Sequence, residues 1–204
     1  MKTRQPIVYV VDDDASMRNG LSRLLRSARM QVETFEDPRV FLNQKCSEGP
    51  ACLLLDMMMP GLSGLDVQAE LKAISSRIPI IFITGHGTVP TSVQALKEGA
   101  VDFMEKPFED ETLLTAVRRA LSRHLDELAH DEENSDARQN FATLTSREQE
   151  VMALTVKGFR NKEIANLLKI AEKTVKVHRG RVMDKMMADS LADLVRTAER
   201  AGLV

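Results

Sequence analysis

Carboxylate, hydroxyl and ammonium side chains follow short apolar runs at four places in the first half of the chain. These positions are the acid pair Asp12 and Asp13, then Asp56, Thr84 and Lys106. Short apolar runs with β-branched residues are typical of strands that are buried on both faces of a parallel sheet. Because ligands bind outside the carboxyl ends of such strands, we expect these side chains to meet at one edge of the sheet.

Three carboxylates at one edge repel each other unless a cation lies among them, so these residue types favour a magnesium site. Mg²⁺ prefers oxygen ligands and binds a few carboxylates together with waters and a phosphate oxygen. A carboxylate can also be a nucleophile that forms an aspartyl-phosphate, and Asp56 is the single acid at the end of a central strand. In phosphoryl transfer, Lys106 and the cation would neutralise charge, and Thr84 would hydrogen-bond a phosphoryl oxygen.

Apolar strand patterns alternate with helical periodicity over the first 128 residues. The predicted strands span 6–12, 31–35, 51–56, 79–84 and 101–104, and the predicted helices span 15–29, 38–46, 64–75, 88–98 and 110–128. This alternation with short connections predicts an α/β fold with a doubly wound parallel sheet and right-handed crossovers. The expected strand order is 2-1-3-4-5, that of the flavodoxin-like group.

Charge divides the chain into three segments. Residues 1–125 carry a net charge of −1, residues 126–144 carry −5 and residues 145–204 carry +4. We therefore predict a first domain over 1–125, an acidic and partly helical linker over 126–140, and a second domain over 141–204. Apolar residues at helical spacing before the linker indicate that the last helix of the first domain continues into it.

Other sequence features exclude several classes of protein. There is no run of about twenty apolar residues, so we expect no membrane span. The N-terminal residues lead directly into a strand pattern, so we expect no signal peptide. Cys46 and Cys52 match no usual metal motif, and we expect both to be free, reduced thiols in a cytoplasmic protein.

The second domain is predicted to be a small all-α domain. Thr145 and Glu148 form a capping box at the start of its first helix, and Gly158 suits the C-terminal end of that helix. A short helix over 161–168 leads through a tight turn to a third helix at about 172–187, and a fourth helix follows. Two short helices joined by a tight turn predict a helix-turn-helix, whose second helix enters the major groove of DNA.

One face of the third helix is rich in basic residues. Lys and Arg neutralise phosphates or read guanine edges, and Val177 could contact a thymine methyl group. A basic helix face is more commonly just solvated, but the helix-turn-helix context and the local charge of +4 favour DNA binding. The candidate DNA-binding residues are Lys173, Thr174, Lys176, Val177, His178, Arg179, Gly180, Arg181 and Lys185.

The motifs of the first half resemble the receiver domain of bacterial two-component response regulators. The matching segments are Val10–Asp14, Asp56–Gly64, Thr84–Gly87 and Lys106–Phe108. The resemblance implies that Asp56 accepts a phosphoryl group from a histidine of a partner sensor kinase. It also implies a switch that reports phosphorylation, formed by Thr84 and Phe103. The implied ligands of Mg²⁺ or Mn²⁺ are Asp12, Asp13, Asp56 and the backbone carbonyl of Met58.

The second half resembles the LuxR-type DNA-binding domain. The matching segments are Leu144–Glu148, Asn161–Ala165 and Thr174–Arg179, with Gly158 between the first two. The whole chain is therefore similar to NarL/FixJ-type response regulators, and it leans toward the FixJ branch. This resemblance implies a transcription activator that dimerises when phosphorylated, binds promoter DNA and contacts RNA polymerase. It implies no enzyme activity beyond phosphotransfer onto Asp56 and slow autodephosphorylation.

Several residues depart from this pattern or have two interpretations. Ala171 stands where many relatives have a Ser cap, and Gly180 removes a side chain from a position expected to read bases. Met58 stands where FixJ-like chains often carry Arg, and we hypothesise that it slows the entry of water to phosphorylated Asp56. Asp14 is either an N-cap of the following helix or a further metal ligand.

Two other kinds of function remain open at the level of the sequence. One is a Mg²⁺-dependent phosphatase-like enzyme that uses Asp56 on external substrates, although no substrate pocket is evident. The other is a phosphorylation-independent DNA-binding protein whose first domain is only a dimerisation scaffold. That class usually lacks one of the acids or the lysine, and here all are present.

Overall fold

A parallel sheet lies at the centre of the first half of the computed structural model, which describes residues 5–44, 47–85 and 89–203. Its strands are β1 (Ile7–Val11), β2 (Gln31–Phe35), β3 (Ala51–Asp56), β4 (Ile80–Thr84) and β5 (Asp102–Glu105). They are hydrogen-bonded in the order β2-β1-β3-β4-β5, and every neighbouring pair is parallel. The predicted α/β fold and strand order are confirmed.

Helices cover both faces of this sheet. They are α1 (Ala15–Ser27), α2 (Pro38–Asn43), α3 (Gly64–Ala73), α4 (Val89–Lys97) and α5 (Asp110–Ala142). Alternate side chains of the buried strands point to opposite faces, so Cys52 and Leu54 pack with α1 and α5, whereas Leu53 and Leu55 pack with α2, α3 and α4. This double burial explains why the strands are apolar along their whole length.

Local sequence signals set the starts of these helices. Asp14 caps α1 by accepting hydrogen bonds from backbone N–H groups of the first turn, and Ser63 forms a capping box with Asp66 at the start of α3. Helix α2 ends at Asn43, earlier than the predicted residue 46. Residues 45 and 46, including Cys46, lie outside the described residues, as do His86 and Gly87 of the Thr84 motif and the predicted start of α4 at residue 88.

Helix α5 continues without interruption through the segment that was predicted to be an acidic, partly helical linker. It has 33 residues and contains neither Gly nor Pro. Its later part belongs to the second compact unit, because the chain divides into two units between Leu128 and Ala129. There Ala137 is buried and Arg138 Nε donates to the carbonyl of Ala201 at 3.2 Å. The domain limits 1–125, 126–140 and 141–204 stay a prediction.

The second unit completes its fold with short helices. They are α6 (Ser146–Val156), α7 (Asn161–Leu168), α8 (Glu172–Lys185) and α9 (Leu191–Arg200). The predicted capping box of Thr145 and Glu148 is present, and Gly158 has a φ of +88° directly after the end of α6. Two small cores hold the helices together, one around Met152 and Val182 and the other around Ile164.

Two further sequence expectations concern apolar segments and thiols. Among the described residues, no helix combines the length and apolar character needed to cross a membrane. Cys52 is a free thiol that is fully buried in β3, and burial raises its pKa. A raised pKa keeps the sulfur in its unreactive protonated form.

Candidate functional site

Three carboxylates meet where β1 and β3 end. Asp12 directly follows β1, Asp56 is the last residue of β3, and one carboxylate oxygen from each of Asp12, Asp13 and Asp56 lies within 4.8 Å of the others. Asp12 and Asp56 are buried, whereas Asp13 is exposed. The structure therefore brings together the three acids that the sequence placed at one edge of the sheet.

Lys106 joins this group from the segment that follows β5. Its Nζ lies 3.0 Å from Asp12 Oδ2 and 3.1 Å from Asp56 Oδ2, so one ammonium group contacts carboxylates from two strands. Burial opposes charging of the ammonium, but the hydrogen bonds to the two carboxylates leave the pKa of Lys106 raised. Burial also raises the pKa of Asp12, although the hydrogen bond from Lys106 acts in the opposite direction.

The donor set fits a hard divalent cation. Lys106 pairs with two of the three carboxylates, so among the described residues the cluster carries an excess of negative charge that a cation would balance. All the side-chain donors are oxygens, and Asp13 leaves one side of the cluster open to solvent. Mg²⁺ prefers this combination of few carboxylates and retained waters, and Mn²⁺ accepts the same ligands.

Arg18 supports the cluster from α1 and was not identified from the sequence. Its Nη1 donates to the backbone carbonyl of Asp12 at 2.8 Å, and its Nη2 pairs with Glu36 at 3.1 Å. The backbone N–H of Asp14 donates to Asp12 Oδ1 at 2.8 Å. Asp14 uses its own carboxylate as the cap of α1, which is the structural interpretation of this residue. These contacts fix both the backbone and the carboxylate of Asp12.

The segment after Asp56 turns sharply beside the site. The N–H of Met58 donates to Asp56 Oδ1 at 3.1 Å, and the Met58 side chain is 67% exposed. Met57 and Met59 are buried on either side of it. Gly64 then passes so close that an added Cβ would lie 2.5 Å from the carbonyl oxygen of Asp56. Met58 thus contacts the acid through its backbone while its side chain is exposed.

The two predicted switch residues lie on adjacent strands. Thr84 is the last residue of β4 and is fully buried, and its carbonyl accepts a hydrogen bond from the N–H of Lys106 at 2.8 Å. Phe103 lies opposite Phe82 in the parallel pair of β4 and β5. It is half-buried against the core between the sheet and helices α2, α3 and α4. Their role as a switch pair stays a prediction.

The predicted DNA-binding residues divide into two groups on α8. Lys173, Thr174, Lys176, Val177, Gly180 and Arg181 are exposed, and Val175 and Val182 on the opposite face are buried. His178, Arg179 and Lys185 are half-buried. The exposed group includes the cations Lys173, Lys176 and Arg181 and the apolar side chain of Val177.

Two of the half-buried cations have partners within the second unit. Lys185 Nζ lies 2.7 Å from the buried carboxylate of Glu148 and 3.0 Å from the carbonyl of Thr143. The hydrogen bond from Lys185 and that from the N–H of Thr145 lower the pKa of Glu148 to about 2. Arg179 Nη1 donates to Asn161 Oδ1 at 2.7 Å. The sequence showed these residues as flanks of a basic helix and did not reveal these partners.

Comparison with protein families assigns a family to each half of the chain. A family model described as a response regulator receiver domain matches residues 8–118, which include the acids and Lys106. A second model, described as bacterial regulatory proteins of the luxR family, matches residues 142–198. The chain belongs to the NarL/FixJ-type response regulators. This response regulator therefore pairs a receiver domain with a LuxR-type helix-turn-helix DNA-binding domain.

Curated relatives are similar to this chain over most of their length. The chain is 45% identical over 200 residues to the response regulator protein TodT of Pseudomonas putida, covering 98% of this chain and 88% of TodT. It is 48% identical over 197 residues to nodulation protein W of Bradyrhizobium diazoefficiens, covering 97% and 87%. It is 42% identical over 197 residues to the transcriptional regulatory protein FixJ of the same species, covering 97% and 96%.

Solved structures of related regulators are also similar to this chain. The response regulator StyR is 48% identical, with a TM-score of 0.85 over 97% of this chain and 100% of StyR. Full-length FixJ from B. japonicum is 40% identical, with a TM-score of 0.57 over 97% of this chain and 98% of FixJ. Both similarities extend over the receiver and the DNA-binding domain.

Proposed function

We propose that this response regulator controls transcription through phosphorylation of Asp56 by a partner sensor histidine kinase. The observation that carries the proposal is the position of Lys106 Nζ, which lies within 3.1 Å of both Asp12 and Asp56 at the ends of two strands. This arrangement supports a nucleophilic carboxylate beside fixed positive charge. We assign the receiver to residues 1–125, the linker to 126–140 and the DNA-binding domain to 141–204.

In the proposed reaction, a carboxylate oxygen of Asp56 attacks the phosphorus of a phosphohistidine on the kinase. The new P–O bond forms as the P–N bond breaks, and the histidine nitrogen retains the electron pair of that bond. Asp12, Asp13, Asp56 and the carbonyl of Met58 would hold Mg²⁺ or Mn²⁺, which supplies charge neutralisation for the transferring phosphoryl group. Lys106 would pair with a phosphoryl oxygen.

The same residues support a switch once Asp56 is phosphorylated. The added charge draws Lys106 and the hydroxyl of Thr84 toward the phosphoryl oxygens, and Phe103 then occupies the space next to Thr84. Such a switch shifts a population between two states and is limited by the difference in contacts between them. We propose that the phosphorylated state dimerises. The dimer then activates transcription from promoter DNA in contact with RNA polymerase. We also propose that the protein works in the cytoplasm.

The exposed face of α8 supports DNA recognition by the dimer. Lys173, Lys176 and Arg181 are exposed cations, and Val177 presents a methyl-bearing side chain between them. In a helix-turn-helix, the second helix reads base edges in the major groove while nearby cations neutralise phosphates. Two copies on a pseudo-palindromic site gain affinity because the second domain binds at a high effective concentration.

The test compares the wild type with Asp56→Asn, with Asp37→Asn as the matched control. Asp37 caps α2, and Asn caps a helix about as well, so this control neutralises an acid of the receiver that is not part of the carboxylate cluster. Each protein is incubated with Mg²⁺ and acetyl phosphate at fixed salt. The measurements are the dimer fraction by sedimentation and the affinity for duplexes that phosphorylated wild type selects from a random-sequence pool.

We expect acetyl phosphate to raise dimerisation and DNA affinity of the wild type and of Asp37→Asn, but not of Asp56→Asn. Tight DNA binding by all three proteins regardless of the donor would contradict the switch and would leave the receiver as a scaffold. Steady turnover of a small phosphate ester by the wild type would instead support the phosphatase-like alternative.

A further inference from the structure

The turn between α7 and α8 has two features that lower its stability. Lys169 has φ +53° and ψ +48°, which is the left-handed region that residues with a Cβ rarely adopt. Ala171 is the N-cap of α8 and offers no side-chain acceptor to the first N–H groups of that helix. Because α8 begins directly after this turn, any movement of the turn changes the direction of the helix that faces DNA.

Arg147 supports this turn from the first turn of α6. Its Nη2 donates to the carbonyl oxygen of Leu168, the last residue of α7, at 2.6 Å. Carbonyl groups in the last turn of a helix have no partner within the helix, and a cation there also interacts favourably with the helix dipole. The Nη1 atom of Arg147 pairs with Glu150 at 2.5 Å, so other groups of the same unit hold both ends of the guanidinium.

Helix α6 is held to α8 independently at the other end of α8. There Lys185 pairs with the buried carboxylate of Glu148 at 2.7 Å. Between the two ends, Val151 of α6 and Val175 of α8 pack in the same small core. Helix α6 therefore contacts the C-terminal end of α8 through Lys185. Through Arg147 it contacts the end of α7, which leads into the turn before α8.

We infer that Arg147 is a positioning residue for DNA recognition, which sets the angle at which α8 enters the major groove. The inference rests on the proposed DNA-binding function and extends it to a residue outside α8. Arg147 acts through the carbonyl of Leu168 rather than through a base or a phosphate. Its loss should lower the preference for a specific sequence more than it lowers general affinity for DNA.

The experiment uses four full-length proteins: the wild type, Arg147→Met, the double variant Arg147→Met with Ala171→Ser, and Arg196→Met. Met keeps the length of the apolar stem of Arg and removes its donors, and Ser at 171 restores a side-chain cap to α8. Arg196→Met is the control, because it removes the same charge from the same unit. Arg196 is 71% exposed on α9 and pairs with Asp193 on its own helix. The probes are a duplex selected by the wild type and an unrelated duplex of equal length, each measured over a range of salt.

We expect Arg147→Met to lose about tenfold in affinity for the selected duplex and about twofold or less for the unrelated one. The slope of log K against log salt should stay within about 0.3 of that of the wild type, because one lost phosphate contact would reduce it by about 0.9. Ala171→Ser should recover a large part of the lost preference. Arg196→Met should behave like the wild type.

Equal losses on both duplexes, with a slope reduced by about 0.9, would make Arg147 a phosphate contact and would overturn the inference. An unchanged preference would overturn it as well. Circular dichroism checks that each variant is folded, and Arg147→Leu, which also lacks donors, replaces Arg147→Met if the latter does not fold, with the same expected direction. If the wild type shows no preference between duplexes, the proposed function itself fails, which is a different outcome from any of these.

Discussion

Asp13 and Asp14 are adjacent acids whose side chains have different surroundings. The carboxylate of Asp13 is exposed and lies within 4.8 Å of those of Asp12 and Asp56. The carboxylate of Asp14 accepts hydrogen bonds from backbone N–H groups at the start of α1. An acid that already caps a helix is a poor candidate for a metal ligand, whereas an exposed acid beside two others is a good one.

This difference gives a prediction for metal binding. Mg²⁺ should raise the melting temperature of the first unit, because a ligand at about 100 times its Kd stabilises the folded state by about 2.7 kcal/mol. Asp13→Asn should lose most of this rise. Asp14→Asn should keep it, because Asn caps a helix about as well as Asp. The measurement is thermal unfolding with Mg²⁺ and with a chelator, and equal rises in both variants would exclude Asp13 as a ligand.

Met58 follows Asp56 by two residues and has an apolar, exposed side chain. We expect this side chain to lengthen the lifetime of phosphorylated Asp56 by slowing the entry of water. Met58→Arg should hydrate the open side of the site and speed dephosphorylation by roughly threefold, which corresponds to about 0.7 kcal/mol in the barrier. The measurement is the decay of phosphorylated protein after the phosphodonor is removed. Met187→Arg is the control, because Met187 is 78% exposed and lies in the second unit. No change in rate for Met58→Arg would contradict the role of Met58.

At the scale of single residues, sequence reasoning found groups that end strands and missed groups that reach across the fold. Asp12, Asp56 and Lys106 were predictable because the apolar runs before them fix where parallel strands end. The partners of Arg18 and Lys185 were not predictable, because a long side chain on a helix flank gives no sign of which carbonyl or carboxylate it meets. Their partners are 6 and 37 residues away in the sequence.

The contact between β3 and the start of α3 makes a prediction at the scale of elements. A Cβ on Gly64 would lie 2.5 Å from the carbonyl oxygen of Asp56 and 2.9 Å from the ring of Phe82. Gly64→Ala should therefore push α3 away from β3 and lower the free energy of unfolding of the first unit by about 1–3 kcal/mol. The measurement is urea unfolding of the full chain.

Gly20 provides the control in the same unit. A Cβ at Gly20, in the middle of α1, would meet nothing within 4 Å. Gly20→Ala should stabilise the unit by about 0.8–1 kcal/mol, because Ala favours a helix interior over Gly. Equal effects of the two substitutions would show that Gly64 is not needed for the close approach to Asp56.

The elements themselves were largely predictable, and the main difference is the length of α5. Negative charge and weak apolar periodicity predicted a linker after residue 125 that was only partly helical. The absence of Gly and Pro from Asp110 to Ala142 leaves nothing that breaks a helix, and pairs such as Arg123 with Glu127 at 2.9 Å favour one. Burial of Ala137 in the second unit, which the sequence did not reveal, then gives the later turns tertiary support.

At the scale of the whole molecule, the two units should respond to acid in different pH ranges. Burial lowers the pKa of His124 from 6.5, although a hydrogen bond to the backbone of Ala51 and the nearby charge of Glu127 act in the opposite direction. The unfolded chain then binds this proton at a higher pH than the folded unit does. The free energy of unfolding of the first unit should therefore fall as the pH drops below about 6.5.

Glu148 pairs with a cation, and it affects stability at a lower pH than His124 does. Its pKa falls from 4.5 to about 2 because Lys185 and Thr145 hydrogen-bond the carboxylate. This stabilisation of the second unit is complete above the unfolded value and is lost as the pH falls from about 4.5 toward 2. The second unit should thus keep its stability through the range in which His124 weakens the first.

The measurement is unfolding of the full chain by heat from about pH 7 to pH 3, with separate signals for the two units. His124→Gln should flatten the loss of the first unit between about pH 7 and pH 5 and leave the second unit unchanged. Glu148→Gln should lower the stability of the second unit at neutral pH and flatten its loss at lower pH. Parallel shifts of both units in either variant would contradict this assignment.

The burial of Cys52 has a practical consequence for the motions of the receiver. The sulfur lies inside the sheet on β3, four residues before the phosphoacceptor Asp56, and no thiol reagent can touch it while β3 stays covered. In a chain with Cys46 replaced by Ser, the rate at which a thiol reagent labels Cys52 would measure how often the centre of the sheet opens. The labelling rate of Cys52 would therefore measure opening of the strand that carries Asp56.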